Sequence, residues 1–170
     1  MNLSLLRRIT RHLLETEFGV EQCELGIQFV SSDEMARVNQ KFLQHEGSTD
    51  VITFDHTASG VPPSNPAYHG GPREHDGAET GIQMLHGEIF ISVADAVKQA
   101  REFGTTWQSE IVRYVIHGLL HLRGFDDLQP AQRRVMKREE NRLLRVVESR
   151  FTLRELARAR NSKLKTRNAS

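Results

Sequence analysis

The sequence predicts an α+β fold, a single domain in which a small mixed sheet of three to four strands packs with five to six helices. Two observations carry this. Three short β-rich stretches, Leu25–Val30, Val51–Phe54 and Met84–Ser92, are separated from one another by helical or irregular sequence. After Ser92 nothing reads as a strand, and apolar residues recur at helical spacing almost to Arg150. Strands gathered early and helices gathered late indicate helices packed on a sheet rather than a regular βαβ alternation.

The elements follow in order. Leu5, Leu6, Ile9, Leu13 and Leu14 form the apolar stripe of a first helix over Leu3–Phe18. Its Arg7, Arg8 and Arg11 are the residues of a transit peptide, but Glu15 and Glu17 in the same helix argue against one, and there is no long apolar core for a secretory signal. Leu25–Val30 is the first strand. Ser31 caps the next helix, with Glu34 completing a capping box, and this helix runs to about Gln44 with Met35, Val38, Asn39 and Phe42 on one face. Val51–Phe54 is a short buried strand. Thr57–Gly81, rich in proline and glycine and holding His69, His75 and Asp76, has no apolar periodicity and reads as a long mobile insertion. Met84–Ser92 is the third strand, and Ser92 or Val93 opens a helix through Phe103 that stops at Gly104. Pro130 opens another, with Val135, Met136, Glu139, Leu143, Leu144 and Val147 carrying it to Arg150. Thr152 to about Arg160 adds a turn or two. The domain is therefore placed at residues 1–150, and 151–170 is read as a basic tail. From Arg150 onward there are seven Lys or Arg against one acid, Glu155, so the tail can meet phosphate or remain solvated.

Composition narrows the function classes. The chain of 170 residues suffices for one core but is short for two. No apolar run approaches membrane-spanning length, which predicts no membrane partner. The single cysteine, Cys23, excludes an intrachain disulfide and a thiolate zinc cluster, which suits a reducing cytoplasm. The net charge of +1 points to no particular partner.

The chemistry lies between Trp107 and Asp127. Ile111, Val112, Val115, Ile116, Leu119, Leu120 and Leu122 recur as one helix. That helix sets His117 and His121 one turn apart on the same side, where two imidazoles can hold one metal ion. Gly124 ends it, because glycine accepts the left-handed turn that reverses a chain, and the reversal swings Asp127 back toward the histidines. A lone helical histidine is more often a solvated or hydrogen-bonded residue than a ligand. The full spacing H-x-x-x-H-x-x-G-x-x-D matches the long zinc motif H-E-x-x-H-x-x-G-x-x-H, with Gly118 in place of the glutamate and Asp127 in place of the third histidine. The metal ligands read from this are His117, His121 and Asp127, with Zn2+ as the ion. A carboxylate ligand hardens the site, so Mn2+ or Mg2+ are further candidates. Gly118 removes the base a protease would use. Glu88 and Asp126 are the candidate replacements, and His117 and Glu88 are the candidate catalytic residues. Thr49, Asp50 and Ser92, at strand ends, are read as turn and cap residues.

The run His117–Asp127, HGLLHLRGFDD, resembles the hallmark H-G-x-L-H-L-x-G-Y-D-H of the YbeY family, differing at Phe125 and Asp127. Two further segments resemble the family in order. Asn39 with Thr49–Phe54 follows its L-N…T-D-V-L-S-F block, and Gly87–Ser92 follows G-D-I-x-I-S before a similar helix. The resemblance covers roughly Val30 to Leu144. These bacterial rRNA-maturation factors are described as zinc-dependent endoribonucleases. The resemblance implies a zincin-like α+β fold and a single-strand-specific endoribonuclease using metal-activated water. It further implies a role in small-subunit rRNA 3′ end maturation and ribosome quality control, with rRNA and the small ribosomal subunit or its proteins as partners. The family pattern also has an arginine, thought to handle the phosphate, where this chain has Leu43; His45 or another basic residue would then have to serve. Two other classes compete: a non-catalytic ribosome-assembly factor with a structural metal, and a zincin-type metallopeptidase, which lacks its glutamate here.

Overall fold

In a computed structural model, residues 1–43, 49–56 and 84–157 are described. The expected insertion at Thr57–Gly81, His45, and all of the basic tail beyond Ala157 lie outside them.

Helix α1 (Leu3–His12) continues through a π-helical turn, Leu13–Glu17, and so fills the predicted span. Strand β1 (Gln22–Val30) begins earlier than its apolar alternation, because the polar Gln22, Cys23 and Glu24 still pair with β3. Helix α2 (Ser32–Val38) is capped by Ser31, whose Oγ accepts from the Glu34 amide at 3.2 Å, and runs on as a π-helical turn, Asn39–Leu43. Strands β2 (Val51–Asp55) and β3 (Met84–Ser92) follow. Ser92 Oγ accepts from the Asp95 amide at 3.3 Å to start α3 (Val93–Phe103), and Gly104, with φ of 65°, ends it. Helices α4 (Trp107–Leu122) and α5 (Pro130–Arg150) complete the set, with a 3-10 turn at Leu153–Ala157.

The sheet is mixed, in the order β1-β3-β2, with β1 parallel and β2 antiparallel to the central β3. Alternation along β3 divides its residues between two faces. Leu85, Gly87, Ile89 and Ile91 face α4, and His86, Glu88 and Phe90 face the other way, where Phe90 packs against a second small core. Helices pack on both faces of the sheet. Met35 and Val38 of α2 cover Val30, Ile52 and Phe54 on that outer face.

Helix α4 is the centre of the domain. Ile111, Val112, Val115, Ile116, Leu119 and Leu120 are fully buried. Each such side chain contributes about 1.5–3 kcal/mol by leaving water. Surface ion pairs, worth about 0–1 kcal/mol, do not compete with that. Helices α3 and α5 and strands β2 and β3 pack directly against α4. The domain also does not end at Arg150. Leu156 is fully buried and its carbonyl accepts from the Asn2 amide at 2.8 Å, tying residues 151–157 to the start of α1. Among the described residues no helix is long and apolar enough to cross a membrane.

Candidate metal centre

His117 and His121 stand one turn apart on the last part of α4, half-buried, with ring centroids 4.5 Å apart. Each ring is fixed through Nδ1. His117 Nδ1 donates to Glu140 Oε1 of α5 at 2.7 Å, and His121 Nδ1 donates to the Phe125 carbonyl at 3.1 Å. A carboxylate and a carbonyl only accept, so in the neutral rings both Nε2 atoms carry lone pairs. Those two atoms face each other at 3.0 Å. Without a cation between them the lone pairs repel. Two imidazoles bound 2.0–2.1 Å from one tetrahedral ion would sit about 3.3 Å apart, close to what is seen.

The third donor arrives through the turn. Gly124, with φ of 84°, reverses the chain, and its amide donates to the His121 carbonyl at 2.9 Å. Asp126 Oδ1 then accepts from the amides of Asp127 at 2.7 Å and Leu128 at 3.1 Å. This Asx turn sets the direction of Asp127. Donor atoms of His117, His121 and Asp127 all lie within 4.8 Å of one another. The donor set of two imidazoles and one carboxylate suits Zn2+ and leaves a coordination position open.

Structure separates the remaining sequence candidates. Glu88 is not brought to the centre. It lies on the sheet face away from α4, where Gln28 Nε2 donates to its Oε1 at 3.0 Å and His56 Nε2 approaches Oε2 at 3.5 Å. Strand alternation is the reason: with Ile89 turned toward α4, its neighbour must turn away. Asp126 is adjacent, but one of its oxygens serves the turn. Asp50 and Ser92 do the structural work expected of them. Asp50 accepts from the Val51 amide at 3.0 Å, Thr49 Oγ1 at 3.1 Å and Gln99 Nε2 at 3.2 Å.

Glu140 is the residue sequence reasoning missed. The predicted stripe of α5 included Val135 and Glu139, yet Val135 is 50% exposed and Glu140 is buried beside Met136, Leu143 and Val147. Burial alone would raise the Glu140 carboxyl, but the hydrogen bond and charge of His117, together with Lys137, outweigh it and hold the group below its ordinary value. Such a partner orients a ligating histidine and raises its basicity. Glu140→Gln is therefore expected to lower metal affinity about 10–100-fold. Competition against a chelator of known affinity checks this, and an unchanged affinity would remove Glu140 from the site.

Burial, and then the neighbouring His117, lower the His121 pKa from the ordinary 6.5. A histidine whose folded pKa is lowered leaves the unfolded chain holding more protons between the folded value and 6.5. Stability of the metal-free protein is thus expected to fall as pH drops below 6.5 and to level off under the folded pKa. Denaturant melts from about pH 8 to 5 test the sign; stability that rose on acidification would contradict it.

A cleft of about 600 Å³ opens beside His117 and Asp127, with Asp50, Gln99, Arg113, Arg133 and Lys137 among its walls. Basic side chains at its rim suit an anionic substrate.

A helix bearing two imidazoles, turned back on a carboxylate and packed against a small mixed sheet, defines an α+β protein with a candidate three-donor metal site. Residues 2–148 match the family described as Endoribonuclease YbeY, and the chain belongs to that family. A Salinibacter ruber protein named Endoribonuclease YbeY is 32% identical over 142 residues, covering 84% of this chain and 81% of its own length. One of the same name from Bacteroides thetaiotaomicron is 33% identical over 127 residues, covering 75% and 76%. The solution structure of a Thermotoga maritima protein shares the fold, with a TM-score of 0.59 and 23% identity over 95% of this chain and 93% of that one.

Proposed function

We propose that this protein is a metal-dependent endoribonuclease that cuts single-stranded RNA in rRNA processing, at the 3′ end of small-subunit rRNA and in ribosome quality control. On this reading its partners are rRNA and the small ribosomal subunit or its proteins, and it works in the cytoplasm. The observation that carries the reading is the pair of pre-oriented imidazoles and the Asp127 carboxylate at one wall of a cleft edged with cations. Family membership supplies the substrate class.

His117 Nε2, His121 Nε2 and an Asp127 oxygen would hold the ion, with Zn2+ the first candidate. Such an ion supplies a Lewis acid for a phosphoryl oxygen and acidifies a bound water. Glu140 and the Phe125 carbonyl keep both rings in the tautomer that leaves Nε2 free. Asp127, being anionic, lowers the net charge of the site and favours harder ions than a third histidine would.

The peptidase alternative loses support at position 118. The Cβ of any larger residue there would lie 2.7 Å from Ile89 Cδ1, so a glutamate would be driven into the sheet rather than toward the histidines. The test is cleavage of a single-stranded rRNA fragment by tag-free protein. Cleavage should stop with chelator and return with Zn2+, Mn2+ or Mg2+. Protein that carries metal, binds the RNA and cuts it with none of these ions would instead support a non-catalytic assembly factor.

A further inference from the structure

We propose that Arg133 is the phosphate-binding residue of this site, holding an RNA backbone phosphate in the cleft beside the metal donors. The inference rests on the ribonuclease reading and names how its substrate is gripped.

Arg133 lies in the first turn of α5, where its amide donates to the Gln129 carbonyl at 2.9 Å. Its Nε donates to the main-chain carbonyl of Asp127 at 2.9 Å. Asp127 is the residue whose carboxylate completes the donor set. One edge of the guanidinium is thus tied to the metal-site turn, and the fork moves with that turn. A planar guanidinium held at Nε keeps its two Nη groups in a fixed direction, which matches two oxygens of a phosphate.

The other charges of the cleft are already engaged. Asp50 is held by Gln99, Thr49 and the Val51 amide. Glu140 takes His117 at 2.7 Å, Lys137 at 3.4 Å and Arg113 at 3.7 Å. Arg113 also gives Nη1 to Asn141 at 2.9 Å. Among the described residues the Arg133 Nη groups have no carboxylate within ion-pair distance, and the residue is exposed at the cleft wall. It is therefore the cation of this cleft with charge to offer an incoming anion. Lys137, one turn further along α5 at the same wall, is already paired with Glu140 at 3.4 Å.

A bracing role alone, in which Arg133 merely steadies the Asp127 turn, makes different predictions. It would alter metal affinity and leave RNA binding by the metal-loaded protein unchanged. The experiment uses metal-loaded wild type, Arg133→Gln, Arg133→Lys and, as a charge control from the next residue, Arg134→Gln. The probes are a single-stranded RNA substrate for kcat and KM, and a single-stranded 2′-deoxy oligonucleotide for affinity across a salt series. Arg133→Gln should weaken oligonucleotide affinity and raise KM by on the order of tenfold, with kcat changed far less. Its log-affinity against log-salt slope should flatten by about 0.7, one phosphate contact on a single strand. Arg133→Lys should restore the slope but not the full KM, since the charge returns without the fork. Arg133→Gln behaving as Arg134→Gln in slope and KM would overturn the assignment while leaving the ribonuclease reading in place. So would a defect confined to metal content. Wild-type protein that neither binds nor cuts these probes would overturn both.

Discussion

Bound metal and RNA cleavage are expected to disappear together in His121→Ala. The side chain is one of the three donors of the proposed site, and its Nε2 stands 3.0 Å from that of His117. Loss of an outer partner of a ligand costs about 10–100-fold in affinity or activity, and loss of the ligand itself costs more. The cost in stability should be small by comparison, because the ring is half-buried and its other bond goes to the Phe125 main-chain carbonyl in the turn after α4. His117→Ala should abolish metal binding as fully, but it also strips Glu140 of its closest partner. That residue is 5% exposed, and although Lys137 and Arg113 remain beside it, losing the closest donor to a buried charged acceptor costs about 1 kcal/mol or more. The two variants are thus expected to agree in metal content and differ in melting temperature. Elemental analysis of tag-free protein beside thermal melts of the metal-stripped forms separates these effects. His121→Ala that retains one ion per chain, or that cuts RNA at the wild-type rate, would dismantle the three-donor site.

Much of this arrangement was legible because its determinants are local. The i, i+4 histidines, the glycine that reverses the chain and the aspartate beyond it are fixed by short-range geometry. The caps at Ser31 and Ser92 and the proline at the first helical position, Pro130, placed three helix starts correctly for the same reason. What was not legible depends on the environment of a face. Glu140 and Glu139 are neighbours in sequence, and which one turns inward follows from how α5 sits on α4. The signal was present, since Met136, Glu140, Leu143 and Val147 continue one stripe, but a charged residue in that stripe invites the wrong phase. Glu88 lies away from the histidines by parity: Leu85, Ile89 and Ile91 are the buried apolar residues of β3, so the intervening acid belongs to the opposite face. Leu156 was assigned to a basic tail by the composition around it, although it is a core residue docked against the chain's first turn.

Gly118→Ala and Gly87→Ala are expected to be strongly destabilising, each costing about 1–3 kcal/mol by overpacking. At position 118 the backbone is helical, so alanine gains about 1 kcal/mol of helix propensity over glycine. The added Cβ, however, would lie 2.7 Å from Ile89 Cδ1 and 2.9 Å from its Cγ1 and Cγ2. Comfortable carbon contacts begin near 3.5 Å, and Ile89 is fully buried with no open space to enter. The clash therefore outweighs the propensity gain. At Gly87 the Cβ would meet the Phe54 carbonyl oxygen and Leu122 Cδ2, both at 2.7 Å. That carbonyl belongs to the main chain of β2, so relief there must displace the strand rather than one rotamer. In each case α4 is pushed away from β3, and the two histidines ride on α4. Metal affinity should fall along with the melting temperature, although neither glycine touches the ion. A double-mutant cycle isolates the cause, because Ile89→Ala removes all three atoms that oppose a Cβ at 118. The double variant Gly118→Ala/Ile89→Ala should be more stable than the sum of the single effects predicts, by about 1 kcal/mol or more. Strict additivity would mean that the helix approaches the sheet for some reason other than the glycine, and that position 118 has room for the glutamate of the long zinc motif.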